Sequence, residues 1–281
     1  MKRTAVFALI PALLLFSQDA DAKATADKPS MVVCYTTGSV NVREARKATR
    51  SMLKVLEKIG GWDEGTFKSY FTTSYKDCGK YLADKKPHFI IPSLGFYLEH
   101  RKSDHLVPLA QPRVNGGSTD TWRVLVRKGE FKSLDDLKGK TLGGTLCTEP
   151  RFLKKVVFRG AVDPEKFFKL KPSKRALRPL RNLAAGRLDA VLINNQQYEA
   201  LGSLPFAKDL EAVFTSKPMP LPGVFADARR SDQKERERFR KAMIAFCGHP
   251  DGKSFCELFG IDRFAQVNTA DFDAAQALWD K

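Results

Sequence analysis

The chain reads as an α/β protein of two lobes joined by two extended crossings, and three observations predict it. Apolar runs and helical patterns alternate from residue 31 to residue 97. The alternation breaks at residues 106–127 and again at 218–226, where extended runs follow one another with no helix between them. A second strand and helix alternation lies between the two breaks. A βαβα order implies a parallel sheet with covering helices, and two such units joined twice imply a hinge and a cleft.

The first lobe opens on Met31, Val32, Val33, Cys34 and Tyr35, a continuous apolar run that reads as a buried strand. Thr36, Thr37, Gly38 and Ser39 turn out of it. A helix follows, with Val42, Ala45, Thr49, Met52, Leu53, Leu56 and Ile59 near helical spacing, ended by Gly60 and Gly61. Residues 67–72 form a second strand, Ser74 caps the next helix, and residues 88–91 form a third strand halted at Pro92. Ser93 to Tyr97 opens a short helix. In the second lobe, residues 173–186 read as a helix, and residues 188–193 and 210–215 as strands. Pro218, Pro220 and Pro222 mark the return crossing, and a long helix starts at Ser231. The expected division is lobe 1 at 28–114 and 225–281, lobe 2 at 121–217, and hinge connectors at 115–120 and 218–224.

The stretch 133–158 organises the second lobe. Ser133 is placed to cap a short helix, with Asp136 three residues on and Gly139 at its left-handed end. A short strand ends at Gly143 and Gly144, and a second helix is expected from Thr148, with Pro150 in its first turn. A glycine turn leading into a helix N-terminus aims free N–H groups at one point, which suits an anion.

Lys2 and Arg3, an apolar run to Phe16 and an Ala-x-Ala ending at Ala22 predict a signal peptide at residues 1–22, hence a periplasmic or secreted protein starting near Lys23. The run is too short for a membrane anchor. The whole chain carries +16, and the leader's two basic and two acidic residues leave that unchanged on cleavage. Such a charge attracts anions without choosing among them. Five cysteines in an exported chain permit disulfides. Cys247 and Cys256 flank a helix break and are the preferred pair, Cys34 with Cys78 comes second, and Cys147 is left over.

Three segments resemble the phosphate- and phosphonate-binding branch of the type 2 periplasmic substrate-binding proteins of ABC importers: SLDDLKGK at 133–140, GAVDP at 160–164 and LAAGRLDAV at 183–191. PSLGFY at 92–97 is a looser match. The resemblance covers nearly all of the mature chain. It implies a two-lobe Venus-flytrap fold closing on a small, phosphate- or phosphonate-like anion, no cofactor, a monomeric state and a cognate permease as partner. The chain departs from the family's Ser-Thr-Ser-Gly loop at Thr145 to Pro150, where Glu149 brings a negative charge.

Ligands of open α/β sheets sit beyond the C-terminal strand ends. Thr36 and Thr37, Ser93 with Tyr97, Thr145 with Thr148, and Asn194 with Asn195 are the candidate contacts there, against the plain alternative that each caps its own helix. Glu149 is expected to point outward, leaving the threonine hydroxyls to line the site. An enzyme or sensor on the same fold is a rival, but no hydrolase, zinc-protease or P-loop motif is present, and His88, His100, His105 and His249 lack metal-site spacing. An electrostatic binder of anionic polymer or envelope is another rival. It lacks a clustered basic and aromatic motif, and no nucleic-acid partner is expected. Mass spectrometry of exported protein should find an N-terminus near Lys23; intact Met1 on a cytoplasmic protein would overturn the localisation.

Overall fold

The computed structural model describes residues 28–36 and 41–281, so the leader and Thr37 lie outside the described residues. The chain begins with β1 (Ser30–Cys34), α1 (Val42–Gly60), β2 (Lys68–Thr72), α2 (Tyr75–Lys85), β3 (Phe89–Ile91) and α3 (Leu94–His100). β4 (Leu106–Arg113) leads into the crossing strand β5 (Thr119–Asp120). Beyond it lie β6 (Arg123–Arg127), β7 (Thr141–Gly144), α4 (Pro150–Phe152) with a π-helical turn at Leu153–Val157, α5 (Pro164–Phe167), β8 (Lys169–Pro172), α6 (Leu177–Ala184), β9 (Ala190–Ile193), α7 (Asn195–Leu201) and β10 (Leu210–Thr215). β11 (Met219–Pro220) crosses back to β12 (Val224–Asp227), α8 (Gln233–Phe246), α9 (Pro250–Leu258), β13 (Arg263–Ala265) and α10 (Thr269–Asp280).

Two sheets result. One has the order β13-β4-β12-β3-β1-β2, the other β10-β6-β9-β7-β8. β2, β1 and β3 pair in parallel, as do β8, β7 and β9. The alternating pattern implied parallel pairing, and the helix-free runs at 106–114 and 121–127 implied connector or antiparallel strands. Both sheets are mixed, because β12 enters the first sheet antiparallel on its return from the second, and β6 and β10 line the second antiparallel. β8 and α5 were not legible as elements: their residues are short, charged and largely exposed.

Local chemistry sets the boundaries. Asn41 caps α1, its side chain accepting from the backbone N–H groups of Arg43 and Glu44, and Gly61 ends it at φ 71°. Met52, Leu53 and Leu56 turn inward from that helix and pack with Phe89, Phe239 and Phe246. The expected Ser133 cap is reversed. Asp136 reaches back and accepts from the N–H groups of Lys132 (2.8 Å) and Ser133 (3.0 Å), and the helix shrinks to one 3-10 turn at Asp135–Leu137.

The two crossings bind each other. β5 and β11 pair antiparallel, and the Leu221 N–H donates to the Ser118 carbonyl at 2.8 Å. Gln111, wholly buried in β4, donates from one amide nitrogen to the carbonyls of Ser118 (3.0 Å) and Leu221 (2.9 Å), one on each crossing. The hinge is therefore a narrow ribbon with a shared anchor. α10 packs on α3, on β11 and on the π-helical turn, so it touches both sides of the hinge.

Cys34 is disulfide-bonded to Cys78 and Cys247 to Cys256, each with Cα atoms 5.7 Å apart, and Cys147 is free and buried. The first bridge spans 44 residues and the second 9. Loop-closure entropy then makes the first worth about 4 kcal/mol and the second about 3 kcal/mol. Chemical denaturation should show Cys34→Ala/Cys78→Ala losing more stability than Cys247→Ala/Cys256→Ala. The reverse order would show that strain or residual unfolded structure outweighs loop length.

Candidate functional site

The segment after β7 is where the two sheets come together. β7 ends at Gly144, where a Cβ would lie 2.7 Å from the Leu192 carbonyl oxygen, so only glycine lets β7 and β9 approach this closely there. The chain then makes a 3-10 turn, Leu146–Thr148, and α4 starts at Pro150, whose missing N–H is no loss at a first helical position. The helical stretch thus begins before Thr148. The Thr148 hydroxyl donates back to the Thr145 carbonyl at 3.0 Å, and its side chain is exposed.

Glu149, between these turns, points inward, which corrects the sequence expectation. It is 4% exposed, and its Oε1 accepts from the Thr36 hydroxyl at 2.8 Å. The other oxygen, Oε2, faces the first turn of α3: a Cβ on Gly95 would lie 2.3 Å from it and 2.9 Å from Phe152 Cβ. The Ser93 hydroxyl accepts from the Phe96 N–H at 3.2 Å and lies near enough to the carboxyl to favour its charged form. The reason for the inward turn lies in the next residues. Arg151 lies over the Trp279 ring of α10 at 4.4 Å and ion-pairs with Glu99 of α3 at 3.5 Å, while Phe152 is buried against α3. With residues 151 and 152 docked on α3 and α10, Glu149 is left facing the end of β1.

Burial pushes the Glu149 carboxyl up to about 7; the Thr36 and Ser93 hydroxyls pull it back, and the charge of Glu99 adds to the rise. Two buried oxygens of this segment, Glu149 Oε2 and Thr145 Oγ1, have no hydrogen-bond partner. Buried polar atoms are normally partnered, so two unpartnered oxygens on one segment are an exception to the rule. An apolar recess of about 210 Å³ opens beside Ser93, walled by Tyr35, Ile91, Pro112, Pro222 and Phe259.

The other candidates lie elsewhere. Tyr97 is fully buried, stacked on Phe225 at 3.9 Å and edge-on to Phe272, inside the first sheet's core. Asn194 caps α7 in a capping box with Gln197. The Asn195 side chain accepts from Arg123 at 2.6 Å, and its N–H donates to Asp120 of β5 at 2.9 Å, so it ties α7 to the hinge. Cys147 is buried against Leu142, and burial pushes its thiol up to about 12, so at neutral pH it offers no thiolate nucleophile. Among the described residues no group of three His, Cys, Asp or Glu side chains could hold a metal ion, and no helix is long and apolar enough to cross a membrane. Gly95 escaped the sequence reading. Its signal was a poor helix former placed inside a predicted helix.

Residues 38–272 match the family described as ABC transporter, phosphonate, periplasmic substrate-binding protein. No curated protein sequence matches the chain. Among solved structures, XAC2383 from Xanthomonas citri bound to ATP is similar at a TM-score of 0.67 and 15% identity, with 90% of this chain and 96% of that one covered. A binding protein component of an ABC phosphonate transporter from Pseudomonas aeruginosa reaches 0.67 at 17% identity, covering 90% and 86%. PhnD1 from Prochlorococcus marinus in complex with methylphosphonate reaches 0.65 at 15%, covering 89% and 96%. At these identities the likeness speaks for the fold.

The raised Glu149 carboxyl makes a stability prediction. The folded protein holds its proton up to about pH 7, while the unfolded chain gives it up near the ordinary carboxylate value. Stability therefore falls as pH rises through that window, by on the order of 3 kcal/mol once both states are ionised. Glu149→Gln should raise the melting temperature at pH 8 and lose that advantage by pH 5. Parallel pH profiles for the two proteins would show that the carboxyl is not buried in solution.

Proposed function

The chain belongs to the periplasmic substrate-binding proteins of phosphonate ABC transporters, and from that membership we propose that it closes on one small phosphonate-like oxyanion held where its two sheets meet. Its role is that of the solute-binding component of an importer, which hands its ligand to a permease. The units we propose to open and close are residues 28–114 with 225–281 against residues 121–217, about the paired crossings at 115–120 and 218–224.

The observation that carries the ligand's place is the pair of unpartnered oxygens, Thr145 Oγ1 and Glu149 Oε2, on the segment whose carboxyl meets Thr36 and Ser93. Hydroxyls that can donate suit ligand oxygens, and the apolar recess beside Ser93 suits a small carbon substituent. Tyr97 supports the ligand only by holding α3 on the first sheet.

A second reading is favoured by one surface. Lys171, Lys174, Arg175, Arg178 and Arg187 line an open concavity at the end of β8, and none of them forms an ion pair with a described residue. An electrostatic binder of an anionic polymer would use such a face, and its affinity would fall steeply with salt.

Calorimetry at pH 6 with methylphosphonate, a larger arylphosphonate and inorganic phosphate separates the readings. A saturable stoichiometry near one, with little salt dependence, is expected for methylphosphonate. Ser93→Ala and Thr145→Val should each weaken binding by roughly tenfold, the worth of a hydrogen bond to a charged group. Tyr97→Phe should change it by less than about threefold. Binding only at low salt with no defined stoichiometry would favour the surface reading instead.

A further inference from the structure

We propose that Glu149 makes oxyanion binding proton-linked: the ligand is admitted when this carboxyl is neutral, and one proton is taken up with it when binding occurs at a pH where the free protein's carboxyl is ionised. The inference rests on the oxyanion reading above and adds the chemistry by which the site tolerates a carboxyl in its wall.

The geometry sets the terms. Oε1 already accepts from Thr36, which leaves Oε2 as the free oxygen, and Oε2 is buried without a partner. A neutral carboxyl protonated at Oε2 is a hydrogen-bond donor, and a ligand oxyanion beside it would be the acceptor that the buried oxygen lacks. An ionised carboxyl at the same place is an acceptor only. It would set two negative charges side by side in a site removed from water, where like charges repel most strongly. The same atoms thus attract an oxyanion in one protonation state and expel it in the other.

Among the described residues no counter-charge holds the carboxyl ionised. Glu99 faces it from α3 and is itself negative. Tyr75 of α2 is hydrogen-bonded to Glu99, and Tyr35 stands at the end of β1 with its hydroxyl pushed up by burial. Arg151, two residues on, is turned away to Glu99 and the Trp279 ring. No lysine or arginine is hydrogen-bonded to or ion-paired with Glu149 among the described residues. Residues 37–40, which follow Thr36, bring no charged side chain in sequence. The carboxyl's burial moves its titration to about pH 7, where an exported protein can meet both states. A bound oxyanion moves it higher still.

The test uses the mature chain with methylphosphonate as probe, titrated calorimetrically from pH 5.5 to 8.5. Methylphosphonate titrates in this range too, so the quantity read is the ratio of the wild-type dissociation constant to that of Glu149→Gln, in which the ligand's own protonation cancels. The glutamine amide keeps a donor at every pH. The ratio is expected to be flat below pH 6 and to rise by up to about tenfold per pH unit above 7, the limit for one required proton. In buffers of differing ionisation heat at pH 8, the wild type should take up about one more proton per ligand than the variant. Thr36→Val removes the donor that favours the ionised carboxyl, so its own break should lie at higher pH than the wild type's; this comparison stands even where the glutamine variant folds poorly. A flat ratio, or equal proton uptake, overturns the linkage and leaves the oxyanion reading intact. Absence of methylphosphonate binding by every variant across the whole range overturns both.

Discussion

Burying one carboxyl constrains this structure more than any other single group. A charged carboxylate removed from water without a cation is expensive, and among the described residues no cation is paired with this one. The fold compensates with neutral donors: the Thr36 hydroxyl, the Ser93 hydroxyl and a glycine-narrowed approach to α3. Each fixes something else. Thr36 ties the end of β1 to the segment after β7, and so joins the two sheets through a side chain. Gly95 lets α3 and α4 come within contact, which seats Phe152 and carries Arg151 onto α10. Without a glycine at 95 the carboxyl could not sit where it does.

The hinge works against this contact. Two crossings of a few residues each, paired as β5 and β11 and anchored by the single Gln111 amide, bend more readily than a packed helix would. Asp120 makes the ribbon definite. Its carboxyl is nearly buried, accepts from the N–H groups of Thr121 and Asn195, and so sets the direction in which the second sheet leaves the crossing. α10 adds a strap, since it touches α3, β11 and the π-helical turn together. The π-helical turn and Arg151 meet α10 side by side, so a rotation about the ribbon of the kind proposed above would slide them across it. The cation–π contact with Trp279 is suited to that, because it tolerates lateral displacement better than a bidentate ion pair does.

Much of the architecture was legible in the sequence because it depends on local signals. The run at Met31 to Cys34, the helical spacing from Val42 to Ile59 with its glycine end at Gly60 and Gly61, and the proline-marked return at Pro218 to Pro222 each name an element by its own residues. The site was legible only in part. Thr36, Ser93 and Thr145 stand at strand ends, where position alone suggests them. Tyr97 stands there too, with its ring stacked on Phe225 and its hydroxyl buried without a partner. The orientation of Glu149 could not be read at all. It is decided by Arg151 and Phe152 docking on helices more than 50 and 120 residues away in sequence, through Glu99 and Trp279, and that is a tertiary fact.

The same case separates two uses of charge that composition runs together. A net +16 invites the expectation of a cationic ligand site. Yet the groups that meet at Glu149 are hydroxyls and carboxyls, while Lys171, Lys174, Arg175, Arg178 and Arg187 line an open concavity at the end of β8. Charge on an outer face acts over a Debye length and is screened by salt, so it draws anions toward the molecule in general. Groups sealed between the sheets act at contact and are screened little, so a ligand held there, as proposed above, would be selected by them. A helix N-terminus and a net charge read from sequence report the first effect. Only the direction of one buried side chain reports the second, and here it runs opposite to the charge count.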